Sequence, residues 1–208
     1  MIISHQHRYI FAAIPKTGTH SVRQALRATL GPNDQEQVSL FVDKKFPFED
    51  LAKIGHGHIT LSQVAPYIGD ALFQEYFKFA FVRNPFDRFV SYCAFVSRQG
   101  GQFAADPRAF MKHVLFQVRP EQHVLFQPQH TFLVAADGAL LADYVGRVER
   151  MQESYDEVCA RLGLPAVQLE KVNTSRHVDY RKYYDDELVA GVSEYYRRDL
   201  EMFGYQFT

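Results

Sequence analysis

The sequence predicts an α/β fold with a central, mostly parallel sheet flanked by helices. Two observations carry that expectation. The runs Tyr9-Ile-Phe-Ala-Ala-Ile14 and Phe77-Lys-Phe-Ala-Phe-Val82 have the length and the aromatic and β-branched content of buried strands. Each is followed by a loop that carries a cation and then by a segment with helical spacing, and strands alternating with helices point to parallel order. The 208 residues fit a single domain over 1–208 with length enough for a sizeable core.

In chain order, the run over 9–14 predicts the first strand. Pro15 and Gly18 break it, and Val22 to Leu30 continues as a helix closed by Gly31-Pro32. Residues 32–55 are polar and contain proline, and they read as a connecting excursion with short helices. The run over 77–82 predicts the second strand. Asn84 and Pro85 then fit a helix N-cap and first helical position, with the helix running to Ser97 and stopped at Gly100-Gly101. Thr131 to Val134 and Tyr144-Val145 read as short strands, the first followed by an Asp137-Gly138 turn. Met151 to Leu162 predicts a helix ending at Gly163, and Asp185 to Phe203 an amphipathic one ending at Gly204. His113-Val-Leu-Phe-Gln117 recurs as His123-Val-Leu-Phe-Gln127, too short an echo for a repeat architecture.

A formal net charge of −1 carries no global footprint for nucleic acid or anionic membrane, so any anion site is local and no nucleic-acid partner is expected. Cys93 and Cys159 form no CxxC pair and no zinc spacing; they read as two buried thiols in a reducing compartment. No apolar run approaches the ~20 residues of a membrane span, and the N-terminus lacks a signal-peptide core. The expectation is a soluble, cytoplasmic protein without a membrane span. The tyrosines at 183, 184, 195 and 196 read equally as core or as an interface, which leaves the oligomeric state open.

The chemistry concentrates in three segments. In Ile14-Pro-Lys-Thr-Gly-Thr-His-Ser21, a strand, a tight loop and a helix start are laid out to wrap backbone N–H groups round a phosphate-like anion. Lys16 leaves the strand end, where its ammonium suits the bridging oxygen of a two-centre anion. Thr17, Thr19 and Ser21 bring hydroxyls, Gly18 permits close backbone approach, and His20 lies within the same segment. This is not a strict P-loop, because Lys16 precedes the only loop glycine. The second segment, Val82 to Ser91, repeats the layout with Arg83 at the strand end and Ser91 on the second helical turn, both suited to one anion. Arg88 in that segment either joins them or pairs with Asp87 or a neighbouring carboxylate. The third, Gly55-His-Gly-His-Ile59, offers two histidines that read as a polar loop or, with no third ligand nearby, an incomplete metal site.

Together these segments resemble the sulfotransferases that use 3′-phosphoadenosine 5′-phosphosulfate (PAPS). Pro15 to Thr19 is similar to that family's 5′-phosphosulfate loop, and Phe81 to Tyr92 to its 3′-phosphate segment. The His-Gly-His spacing resembles the heparan sulfate 2-O-sulfotransferase branch, in which the second histidine is taken as the base. The resemblance therefore implies His58 as base, His56 as a supporting or alternative base, and Lys16 as the group on the leaving oxygen. It further implies Thr17, Gly18, Thr19, His20, Ser21, Arg83 and Ser91 as cosubstrate-binding residues. Asn173 to His177 sits where the family places a loop over the nucleotide, which adds Ser175 and Arg176. Pro128 to Leu133, Val145 to Glu149 and Tyr196 to Phe207 resemble the family's later segments.

The implied fold is the P-loop-NTPase-like sulfotransferase fold, and the implied reaction is in-line transfer of sulfate to a hydroxyl of a carbohydrate-type acceptor, with 3′,5′-bisphosphoadenosine (PAP) as product. No metal is required by it, and no Asp or Glu cluster is suited to hold one. Unlike the animal Golgi enzymes, the chain shows neither an N-terminal anchor nor a long acceptor-binding region, and resembles a compact bacterial-type member. Two other readings remain: a P-loop kinase for a small molecule, against which the missing Gly-Lys-[Ser/Thr] order counts, and a non-catalytic nucleotide-binding module of the same fold.

Overall fold

The computed structural model describes residues 1–39, 42–170 and 179–208. The chain forms two compact units interleaved in sequence, residues 1–82 with 131–172, and residues 83–130 with 173–208. The strands are β1 (Ile2–Ser4), β2 (Tyr9–Ala12), β3 (Gln35–Glu36), β4 (Phe77–Val82) and β5 (Tyr144–Arg147). The α-helices are α1 (Thr19–Arg27), α2 (Glu49–Ala52), α3 (Leu61–Ile68), α4 (Asp70–Glu75), α5 (Pro85–Val96), α6 (Gln102–Ala105), α7 (Pro107–Lys112), α8 (Met151–Leu162), α9 (Asp186–Tyr195) and α10 (Arg197–Phe203).

The first unit is built on one five-stranded sheet in the order β3-β1-β2-β4-β5. β2 pairs with β4, and β4 with β5, in parallel, whereas β1 is antiparallel to both β2 and β3. Four strands therefore point one way and β1 alone runs against them. Tyr9, Phe11, Phe79 and Phe81 share one face and pack on Val22 and Leu26 of α1 and on Tyr155, Val158 and Cys159 of α8. Every residue of β2 is buried, as expected of a parallel strand covered on both faces.

The strand over 77–82 has its predicted bounds, and α8 ends at Gly163 in the left-handed conformation as its sequence requires. β1 and β3 go beyond the sequence reading. Ile2-Ile3 is a short run beside polar His5, Gln6, His7 and Arg8, and Gln35-Glu36 has no strand signal at all. Glu36 is buried nonetheless because Arg27 reaches its carboxylate at 2.7 Å, with Lys44 at 3.5 Å and Arg23 at 3.8 Å. α1 starts a turn earlier than predicted, at Thr19, because Gly18 turns left-handed and nucleates it. It stops at Arg27, where the Thr29 hydroxyl donates to Leu26 O.

In the second unit, Asn84 caps α5 by accepting from Phe86 N at 3.0 Å, with Pro85 at the first helical position as predicted. Phe86, Phe89, Val90 and Cys93 of α5 pack with Tyr184, Leu188, Val192 and Tyr196. The single helix expected over 185–203 is two, α9 and α10. The break falls at Tyr196, whose ring is buried and whose hydroxyl donates to Phe126 O at 2.8 Å. The strand expected over Thr131–Val134 is replaced by a 3₁₀ turn over Gln129–Phe132 and a lone bridge between Val134 and Leu140. Just ahead of Thr131, the Asp199 carboxylate takes the N–H groups of both Gln129 and His130, which in a strand would point opposite ways, and so starts the 3₁₀ turn. The echoed pentapeptides differ too: His113–Val118 is a π-helix, and residues 123–127 form turns. Cys93 and Cys159 are buried thiols without a disulfide. Among the described residues, no helix is long and apolar enough to cross a membrane.

Candidate active site

The loop after β2 is shaped by two left-handed residues, Lys16 at φ 66° and Gly18 at φ 68°. Such turns bring successive N–H groups round onto one side and make an anion-binding concavity. For a lysine this conformation costs about 1–2 kcal/mol, strain of the kind that gathers at ligand sites. Thr17, buried between the two, donates its hydroxyl to Ile14 O at 3.0 Å, so its proton ties the loop to the strand end. Gly18, having no side chain, does not cap α1, whose first turn carries the positive end of the helix dipole. Thr19, His20 and Ser21 form its first turn. Burial lowers the imidazole pKa of His20, and the nearby cations Arg23, Lys16 and Arg27 lower it further. Gly18 is also tight: a Cβ there meets Met151 Cε at 2.6 Å.

The His-Gly-His segment is fastened to this loop. His58 Nδ1 lies 2.7 Å from Ala13 O, and since a carbonyl only accepts, Nδ1 carries the proton and Nε2 the lone pair. His58 N donates to His56 Nδ1 at 3.3 Å, which puts the proton of His56 on Nε2 instead. The two rings are 5.8 Å apart. Burial pushes the pKa of His58 down to about 3, against the hydrogen bond to Ala13 that raises it, and burial lowers that of His56 as well. Both rings are therefore neutral at pH 7. Buried Gln37 holds the segment by donating to His56 O at 2.9 Å and Leu51 O at 2.7 Å, and Arg23 donates to Gly57 O at 3.4 Å. Gly57 allows that crowding, because a Cβ there falls 2.0 Å from Gln37 O.

The first unit thus brings Lys16, Thr17, Gly18, Thr19, His20 and Ser21 together with His56 and His58. In the second unit, Arg83 follows directly on β4 and donates from Nε to Asp87 Oδ2 at 2.7 Å, while Ser91 lies buried on α5. Arg88, for which the sequence left an anion site, Asp87 or a neighbouring carboxylate open, turns inward, with Asp199 among the charges that act on it. Its side chain is buried, donates to Leu125 O and Gln127 O at 3.2 and 2.9 Å, and lies over the Tyr196 ring. Ser175 and Arg176 lie outside the described residues. Among the described residues, no group of three or more His, Cys, Asp or Glu side chains is suited to a metal ion.

Sequence reading alone does not find Arg23, Gln37, Gln129 or Asp199. Each acts on backbone groups far along the chain, and polar residues of that kind look like surface until their burial is seen. Nothing in the sequence marks out Asp199, which shares its segment with Asp185, Asp186, Glu187, Glu194 and Glu201.

A family model described as the sulfotransferase family matches residues 1–206. An uncharacterized protein of Archaeoglobus fulgidus is 29% identical over 115 residues, 55% of this chain and 91% of that protein. No solved structure matches the chain significantly.

Proposed function

Because this chain, matched from residue 1 to 206, belongs to the sulfotransferase family, we propose that it transfers the sulfuryl group of PAPS to a hydroxyl of a carbohydrate-type acceptor. The observation that carries the proposal is the bond from His58 to Ala13, which ties a neutral imidazole to the same strand end that feeds the Lys16 loop. A base and an anion cradle held on one rigid element are what in-line displacement asks for.

The residues present fit the cosubstrate. The N-terminus of α1, the two left-handed turns and the Lys16 ammonium suit the 5′-phosphosulfate. Arg83 and Ser91 are assigned the 3′-phosphate by the order of the family's segments. Nε2 of His58 takes the proton of the acceptor hydroxyl as its oxygen bonds to sulfur. The bond from sulfur to the bridging phosphate oxygen breaks, and PAP leaves with the electron pair. Lys16 and the loop N–H groups neutralise the charge growing on that oxygen. His58 returns its proton to solvent. A pKa of about 3 makes a weak base in the bare protein, and the negative charge of the cosubstrate beside the ring raises it. His56, with its Nδ1 committed to His58 N, is a supporting group that sets the segment.

The test is transfer of labelled sulfate from PAPS to a panel of glycans, with thermal shift read beside it. Stabilisation by PAP and labelled product are expected. Stabilisation by MgATP alone, with no labelled product, overturns the reading in favour of a phosphotransferase.

A further inference from the structure

We propose that Gln129 is a positioning residue that sets Arg83 for the 3′-phosphate, with Asp199 as its buried anchor; this rests on the assignment of Arg83 given above. Arg83 is the first residue past β4, where the peptide groups of a chain leaving a sheet lose their ladder partners. Gln129 replaces them. Its Oε1 accepts from Arg83 N at 2.9 Å and its Nε2 donates to Arg83 O at 2.9 Å. One side-chain amide therefore clamps both peptide groups of one residue, as a neighbouring strand would. With N and O both fixed, the direction in which the Arg83 side chain leaves the backbone is fixed too.

The clamp is itself held rigidly. Gln129 is wholly buried, and its own N donates at 2.7 Å to Oδ2 of Asp199, which is also wholly buried. The other carboxylate oxygen of Asp199 accepts from His130 N at 2.8 Å and from His130 Nδ1 at 2.7 Å. At the far end of the arginine, Asp87 accepts from Nε at 2.7 Å. An arginine held at its peptide and at Nε has fewer conformations to lose on binding, and such preorganisation lowers the cost of binding.

Calorimetry with PAP and with adenosine 5′-monophosphate, which lacks the 3′-phosphate, separates the two roles. The proteins are wild type, Arg83→Ala, Gln129→Met and the double variant. Gln129→Met is expected to weaken PAP about tenfold and to leave the monophosphate within about twofold. The double variant is expected to bind PAP no more weakly than Arg83→Ala, because Gln129 acts only through that arginine. If Gln129→Met is not recovered folded, Gln129→Glu, which keeps the length but cannot donate to Arg83 O, is read the same way. Wild-type PAP affinity in the folded glutamine variant, or equal losses for both nucleotides, overturns the positioning role while leaving Arg83 in place. Unchanged PAP affinity in Arg83→Ala overturns the assignment of Arg83, and the role of Gln129 with it.

Discussion

His58 and Ala13 are joined by a 2.7 Å hydrogen bond from ring to carbonyl, and Ala13 lies three residues ahead of Lys16. That single contact does two things. It fixes which ring nitrogen holds the lone pair, and it makes the separation between imidazole and anion loop a property of a buried strand end rather than of two loops.

Removing the imidazole should therefore cost rate and spare binding. His58→Ala is expected to lower kcat about 10²–10⁴-fold, the usual range for a positioned base, with PAP affinity little changed. His56→Ala, which removes an acceptor for His58 N, is expected to lower kcat by a smaller factor. Initial rates and calorimetry on both variants check this. A larger loss in His56→Ala than in His58→Ala would exchange their roles.

The depressed pKa of His58 also sets a stability trend. Its folded value of about 3 lies below the ordinary ~6.5 of an unfolded histidine, so between those values the unfolded chain binds the extra proton. The contribution is complete above pH 6.5 and is lost as pH falls toward 3, with a slope of up to ~1.4 kcal/mol per pH unit from this group. Urea denaturation from pH 7 to pH 4 should show His58→Gln losing less stability than wild type. Parallel curves for the two proteins would contradict it.

The same buried network explains what could be read before the structure. Strands β2 and β4, the Asn84-Pro85 helix start and the Gly163 stop were legible because each is written in neighbouring residues. Lys16, Gly18, His56 and His58 sit in compact motifs, which is why the sequence singles them out as candidates. Glu36 in β3 and the turn at Gln129 were not legible, since partners distant in sequence override their local preference: Arg27, Arg23 and Lys44 for the first, Asp199 for the second. The left-handed backbone of Lys16 was also hidden, because nothing in a lysine announces it. The pairing of Asp87 with Arg83 and the burial of Arg88 in the second unit's core were hidden too, because two arginines five residues apart look alike in the sequence.

Gly57→Ala should be among the most damaging single changes in the first unit. A Cβ at that position falls 2.0 Å from Gln37 O and 2.8 Å from the Arg23 guanidinium, and the first of these is backbone that cannot swing aside. Overpacking of this kind costs about 1–3 kcal/mol, and relief can come only by moving the segment that carries both histidines. Reduced thermal stability together with loss of sulfate transfer is expected; wild-type turnover would show that the segment moves without consequence.

Lys16 offers a pair of substitutions that separates the strain of its backbone from the role of its ammonium. Its φ of 66° is one that glycine adopts freely and that any residue with a Cβ adopts at a cost of about 1–2 kcal/mol. Lys16→Ala keeps that cost and loses the ammonium, whereas Lys16→Gly loses both. Glycine gives back part of the gain through the greater freedom of the unfolded chain, so Lys16→Gly should be more stable than Lys16→Ala by about 1 kcal/mol. Both should be inactive, since neither can neutralise charge on the leaving oxygen. Denaturant unfolding of the two variants decides the matter. Equal stability would mean that the loop relaxes out of the left-handed turn once the lysine is gone, and that the strain is held there by the ammonium's own contacts rather than by Thr17 and the start of α1.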